Sequence, residues 1–124
     1  MINFKISQVS PSLTLVKLKG HLDESSRKYF FDCVRGAIFG LTKKNVVIDL
    51  SGVGAISTGG LEALLETEYQ TRRKGGRIFL TDVNPKISDI LLQTKLSSLS
   101  VIHPSTQGLV NKLTSEEIDL LQVA

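Results

Sequence analysis

The sequence predicts an α/β fold, a sandwich in which a mixed β-sheet carries helices packed mainly on one face. Three observations carry that prediction. The chain opens with two short runs of strand character joined by a turn, and it continues with apolar strand-like runs alternating with segments whose apolar residues recur every three or four positions. No linker, internal repeat or low-complexity tract interrupts the 124 residues.

The elements follow in order. Ile2, Phe4 and Ile6 alternate at period two, Pro11-Ser12 marks a turn, and Leu13 to Leu18 is an apolar run that includes β-branched residues, which reads as a hairpin ended by Gly20. From Ser25 or Ser26 the pattern changes to a helical stripe of Phe30, Val34, Ala37, Ile38 and Leu41, with Cys33 beside it and Gly40 near its end. Val46 to Leu50, after the Lys43-Lys44-Asn45 turn, is an apolar run of the kind buried on both faces of a parallel sheet. Ser51 to Gly60 reads as a loop, and Leu61, Leu64, Leu65 and Tyr69 form a second stripe ending near Lys74-Gly75-Gly76. Arg77 to Val83 is a further strand. Asn84-Pro85 reads as an N-cap followed by Pro at the first helical position, opening a short helix with Ile87, Ile90 and Leu91. A last strand falls at Val101-Ile102, and Ser105 caps a C-terminal helix carrying Leu109, Val110 and Leu113. The capping-box spacing of Thr114 to Glu117 predicts that residues 114–124 form a second helical piece, a C-terminal tail to a single domain spanning 1–124.

Composition bounds the function. A chain that is 41% hydrophobic and 22% charged folds as one globular unit, and at this length buries roughly two thirds of its unfolded surface without disulfides or structural metal. One cysteine, Cys33, forms no intramolecular disulfide, and Cys33, His21 and His103 lack the spacing of a zinc site, which points to a reduced, cytoplasmic setting. Neither a signal peptide nor a run of eighteen apolar residues is present, so membrane insertion is not expected. The net charge of +3 is concentrated before residue 45, yet no basic run interleaved with aromatics accompanies it, so no direct nucleic-acid partner is expected. No cofactor motif is found. Oligomer formation and membership of a larger assembly are left open.

The same survey argues against an enzyme. His21 stands at a strand end near Asp23, and His103 precedes Pro104; neither has a local nucleophile to activate. Glu62, Glu66 and Glu68 read as a solvated helix face, and Asp49 as a structural residue near a strand end.

The informative segment is Ala55-Ile56-Ser57-Thr58-Gly59-Gly60-Leu61. It places two hydroxyls at or just before a helix N-terminus, where unpaired N–H groups and the helix dipole favour negative charge. Three readings fit that chemistry. Ser57 or Thr58 caps the helix; or one of them accepts a phosphoryl group, adding about −1.5 to −2 charge at neutral pH; or the segment holds a small phosphate ligand. Neither a Walker loop nor a Gly-x-Gly-x-x-Gly motif is present.

Gly20-His21-Leu22-Asp23, Val47 to Val53, Ile56 to Leu61 and Gly75-Gly76-Arg77-Ile78, in that order, resemble the STAS domain of bacterial anti-sigma factor antagonists over nearly the whole chain. The resemblance implies a STAS-like sandwich and a non-enzymatic regulatory module. Aligned on Gly60-Leu61, it places the phospho-acceptor on Thr58, with Ser57 the second candidate. Two positions depart from the family pattern: Ser57 stands where the family carries Asp, and Gly59 where it carries Ser or Ala. The resemblance further implies a docking face of Asp23, Ser57, Thr58, Gly59, Gly60 and Leu61, and a partner that is an anti-sigma factor, or switch-protein, kinase. An alternative role is that of a non-phosphorylated scaffold or accessory subunit in a signalling or transport assembly.

Overall fold

The computed structural model describes residues 2–38, 45–93 and 101–123. The expected Gly40, Leu41 and Lys43-Lys44 features lie outside the described residues, as do the side chains of Cys33, Ala37, Ile38 and His103. Among the described residues nine elements follow one another: β1 (Ile2–Ser10), β2 (Leu13–Leu22), α1 (Arg27–Ile38), β3 (Asn45–Ile56), α2 (Thr58–Arg73), β4 (Arg77–Thr81), α3 (Pro85–Leu92), β5 (Val101–His103) and α4 (Thr106–Val123).

The sheet runs in the order β1-β2-β3-β4-β5, with β1 antiparallel to β2 and every other pair parallel. It is therefore the mixed sheet expected, and its faces are read directly from strand alternation. Val46, Ile48 and Leu50 join Val16, Leu18, Ile78 and Leu80 beneath α1, α2 and α3, which contribute Phe30, Val34, Leu64, Ile87 and Leu91. On the opposite face Leu13, Val47 and Phe79 are covered by Leu109, Val110 and Leu113 of α4. Three helices on one face and one on the other explain why β3 is apolar at consecutive positions: both of its faces are covered.

Helix ends follow local chemistry. The Asn84 side chain accepts from the Ile87 N–H at 3.1 Å with Pro85 beside it, as expected for α3. At the other end of α2, Gly75 takes φ 82° and its N–H bonds to the Arg72 carbonyl at 2.9 Å while Gly76 bonds to Thr71 at 3.0 Å, so the glycine permits the left-handed turn that stops the helix. Ser105 caps α4, accepting from the Gly108 N–H at 3.1 Å.

Four features differ from the expectations. β2 does not end at Gly20: that residue, at φ 118°, absorbs a register shift, and the strand continues to Leu22. β3 likewise runs past Leu50 to Ile56, because the continued β2 gives it a partner through Lys19↔Gly52, Gly20↔Val53, His21↔Ala55 and Leu22↔Ile56. β4 stops at Thr81, where Asp82 turns into the left-handed region at φ 52°. Residues 114–123 continue α4 without a break instead of starting a second piece, and Thr114 stands inside the helix.

Candidate functional site

The extended β2 and β3 end side by side, and this juxtaposition builds the site. Ser57 follows β3 with extended backbone and is the N-cap of α2; its N–H bonds to the Leu22 carbonyl at 3.0 Å. The Ser57 hydroxyl accepts from the Gly60 N–H at 3.4 Å, and its carbonyl accepts from Leu61 at 2.9 Å. Of the two hydroxyls, then, Ser57 performs the capping. Thr58, the first residue of α2, is exposed, and its hydroxyl makes no hydrogen bond among the described residues.

The two glycines are buried for different reasons. A Cβ on Gly60 would lie 2.2 Å from the Leu22 carbonyl oxygen and 2.9 Å from Ile56, so the helix start is pressed against the end of β2 and only glycine fits. The nearest atoms to a Cβ on Gly59 would be those of the Glu24 carboxyl group, at 2.3–2.4 Å. The Glu24 side chain therefore lies over the first turn of α2. Leu61 is half-buried and packs against the main core.

The turn between β2 and α1 forms the neighbouring wall. Asp23 Oδ1 accepts from the Ser25 N–H at 3.1 Å, the Ser25 hydroxyl at 2.7 Å and the Ser26 N–H at 3.2 Å. In return the Asp23 N–H bonds to the Ser26 hydroxyl at 2.9 Å, and the Ser26 carbonyl accepts from Phe30 to open α1. The Ser25 hydroxyl first, with the Ser26 bonds and against slight desolvation, holds the Asp23 carboxyl below the ordinary carboxylate range. Asp23 thus shapes the turn that carries Glu24. Arg27 bridges from α1 to Glu62 of α2 at 2.7 Å, both side chains about half exposed, an arrangement that orients more than it stabilises.

Beyond that bridge a groove of about 460 Å³ runs between α1 and α2, lined by Glu24, Arg27, Lys28, Phe31, Ala63 and Glu66. The acidic face expected on α2 is split. Glu62 and Glu66 are exposed, but Glu68 is 2% exposed, its Oε1 3.6 Å from Arg72 and its Oε2 without a hydrogen bond. Burial pushes its carboxyl up, opposed by Arg72 and Arg77. A reading by residue type misplaces Glu68, which lies one turn from Leu64 on the buried side of α2.

His21 is exposed beside Gly54, and no nucleophile is bonded to it among the described residues. Among the described residues no group of three or more His, Cys, Asp or Glu is placed to hold a metal ion. Asp49 lies within β3, buried, with its Oδ1 accepting from the Ser51 N–H at 2.8 Å. The site is therefore a surface: one free hydroxyl at a helix start, a carboxylate laid over the next residue, and a charged groove alongside. The sequence reading missed Glu24, and the signal that could have found it is Gly59, a glycine where the resembling family carries a side chain.

Comparison with known proteins bears on the fold that carries this surface. The STAS domain family profile matches residues 5–109. The chain belongs to the STAS domain family. An anti-sigma factor antagonist from Mycobacterium paratuberculosis has the same fold, with TM-score 0.78 at 17% identity over 90% of this chain and 93% of that one. The Bacillus cell fate determinant SpoIIAA in its phosphorylated form is similar at TM-score 0.71 and 15% identity, over 90% and 99% of the two chains. A third similar structure is part of a larger protein: the murine anion transporter Slc26a9, TM-score 0.75 and 17% identity, matches 88% of this chain with 19% of its own. Comparison with curated protein sequences returns no significant match. In this STAS chain no helix among the described residues is long and apolar enough to cross a membrane.

Proposed function

We propose that this protein is an anti-sigma factor antagonist-like regulatory module of the cytoplasm, without enzymatic activity of its own. It docks on a partner serine/threonine kinase that is also an anti-sigma factor, frees the sigma factor, and is released when the kinase phosphorylates Thr58. The observation that carries this reading is the division of labour at the start of α2: the Ser57 hydroxyl caps the helix, and the Thr58 hydroxyl is exposed and unbonded among the described residues. A kinase needs an accessible hydroxyl, and Thr58 supplies it. A phosphoryl group at the first helical position is tolerated by the helix dipole, so the modification leaves α2 folded while changing the charge of the docking face. Each loss of about 1.4 kcal/mol in docking is tenfold in affinity, so a desolvated or repelled dianion is enough to dissociate the pair.

Asp23, Ser57, Gly59, Gly60 and Leu61 enter this face in supporting roles: the turn, the cap, the space taken by Glu24, the close approach to β2 and the core anchor. Phosphosite mapping by mass spectrometry on protein from its native cells, with and without stress, tests the reading. Phosphate on Thr58 whose occupancy follows the condition is expected, with Thr58→Asp weakening kinase binding and Thr58→Ala retaining it. Equal binding by both variants overturns it.

A second reading, a permanent scaffold or accessory subunit, is favoured by the occurrence of the same fold within a larger transporter chain. An unmodified Ser57-Thr58 pair under every condition, with stable co-purification of a larger assembly, supports that role.

A further inference from the structure

The Glu24 side chain lies against the backbone of Gly59, one residue from Thr58, and it makes no hydrogen bond or ion pair among the described residues. What holds it there is space: a Cβ on Gly59 would overlap all three atoms of the carboxyl group, at 2.3–2.4 Å. The same residue lines the α1–α2 groove, whose Arg27 is already paired with Glu62 at 2.7 Å and whose other cation is Lys28. A carboxylate displaced from Gly59 therefore has Lys28, along the same groove, to turn toward.

We propose that Glu24 is a positioning residue that transmits the state of Thr58 to the start of α1. The inference rests on the reading of Thr58 as phospho-acceptor. A phosphoryl group on Thr58 brings about −1.5 to −2 charge beside a carboxylate held by no bond of its own, and like charges repel. Glu24 leaves Gly59 and turns toward Lys28. Because Glu24 sits in the turn built by Asp23, Ser25 and Ser26, its departure is felt by the hydrogen bonds that open α1. Phosphorylation therefore changes two adjacent parts of the docking face: it adds charge at α2 and moves the Glu24 charge along the groove beside it. Gly59 is the enabling residue, since any side chain there evicts Glu24 without phosphorylation.

The test uses three variants of the full chain. Thr58→Asp adds the charge, Gly59→Ala displaces Glu24 sterically with all charges kept, and Glu24→Gln removes the repulsion. Amide resonances of Asp23 to Ser26 are expected to move in Thr58→Asp and in Gly59→Ala, in the same direction. The urea midpoint lost on Thr58→Asp is expected to fall by at least half when Glu24 is already Gln, and this saving is expected to fade at high salt. An equal loss with Glu24 and with Gln, or Asp23–Ser26 resonances unmoved in Gly59→Ala, overturns the proposal. The cycle reads the coupling of Glu24 to Thr58 and needs no kinase, whereas phosphosite mapping reads the modification, so failure of one is distinguishable from failure of the other.

Discussion

Two helices in this protein start with the same pair of residues and make opposite use of it. Ser57-Thr58 opens α2 and Ser105-Thr106 opens α4, each with a glycine three residues after the serine. Both serines cap, accepting from Gly60 at 3.4 Å and from Gly108 at 3.1 Å. The threonines diverge. Thr106 is buried, its hydroxyl donating to Asp82 Oδ2 at 2.6 Å and lying 2.5 Å from the Thr81 hydroxyl, while its N–H reaches the same Asp82 oxygen at 2.9 Å. Thr58 is exposed, and its hydroxyl is unbonded among the described residues. Identical local chemistry therefore yields a structural joint where a neighbouring strand end supplies a carboxylate, and a free hydroxyl where it does not. The carboxylate near α2, Glu24, lies over Gly59 instead.

The largest effect expected from testing this contrast is at the glycines. Gly60→Ala forces a Cβ onto the Leu22 carbonyl, a backbone group that cannot yield, and is expected to cost about 3 kcal/mol in urea unfolding. Gly59→Ala displaces only the end of a flexible side chain and is expected to stay within about 0.5 kcal/mol of the parent. Similar losses in both would mean that the two helix-start glycines are equivalent.

Next comes the threonine pair. Thr106→Val deprives a carboxylate of a hydroxyl donor and leaves a buried hydroxyl partner on Thr81, with an expected cost of about 2 kcal/mol. Thr58→Val loses no bond among the described residues and is expected to change stability by less than about 0.5 kcal/mol, measured by the same unfolding experiment. A loss at Thr58 as large as that at Thr106 would erase the distinction between joint and free hydroxyl.

The smallest effect is a pH dependence. The Thr106 hydroxyl, then its N–H, hold the Asp82 carboxyl below its ordinary value of 3.8, against partial desolvation. A carboxyl with a lowered pKa in the folded state contributes stability that is complete above the ordinary value and is lost as pH falls through the folded one. Asp82→Asn, which suits the left-handed backbone at φ 52°, is expected to flatten this acid limb in unfolding midpoints measured across acidic pH, and Thr58→Val to leave it intact.

The sequence showed most of the frame because the frame is periodic. The alternation of Ile2, Phe4 and Ile6, the stripe of Phe30 and Val34, and the Asn84-Pro85 cap each correspond to an element or end that the structure contains. The second half of β3 escaped because Ser51, Gly52, Gly54 and Ala55 are exposed and lack an apolar rhythm; only pairing with β2 makes them a strand. Glu68 was read as solvated because residue type outweighed position, although it stands one turn after the buried Leu64. At the site, Ser57 and Thr58 were equivalent hydroxyls in one dimension. Their roles separate through Leu22, whose carbonyl fixes the Ser57 backbone and forbids a side chain on Gly60.

The register of the sheet has a consequence for how the molecule breathes. β4 accompanies β3 only from Asn45 to Asp49, whereas β2 follows it to Ile56, so from Ser51 onward the strand has one neighbour among the described residues. Amide protons in the first half of β3 should then exchange with solvent only on global unfolding, and those approaching Ser57 through smaller, more frequent openings. The hydroxyl offered at Thr58 is mounted at the end of a gradient of local opening, where a partner can reshape the strand's last residues without disturbing the core that anchors its first.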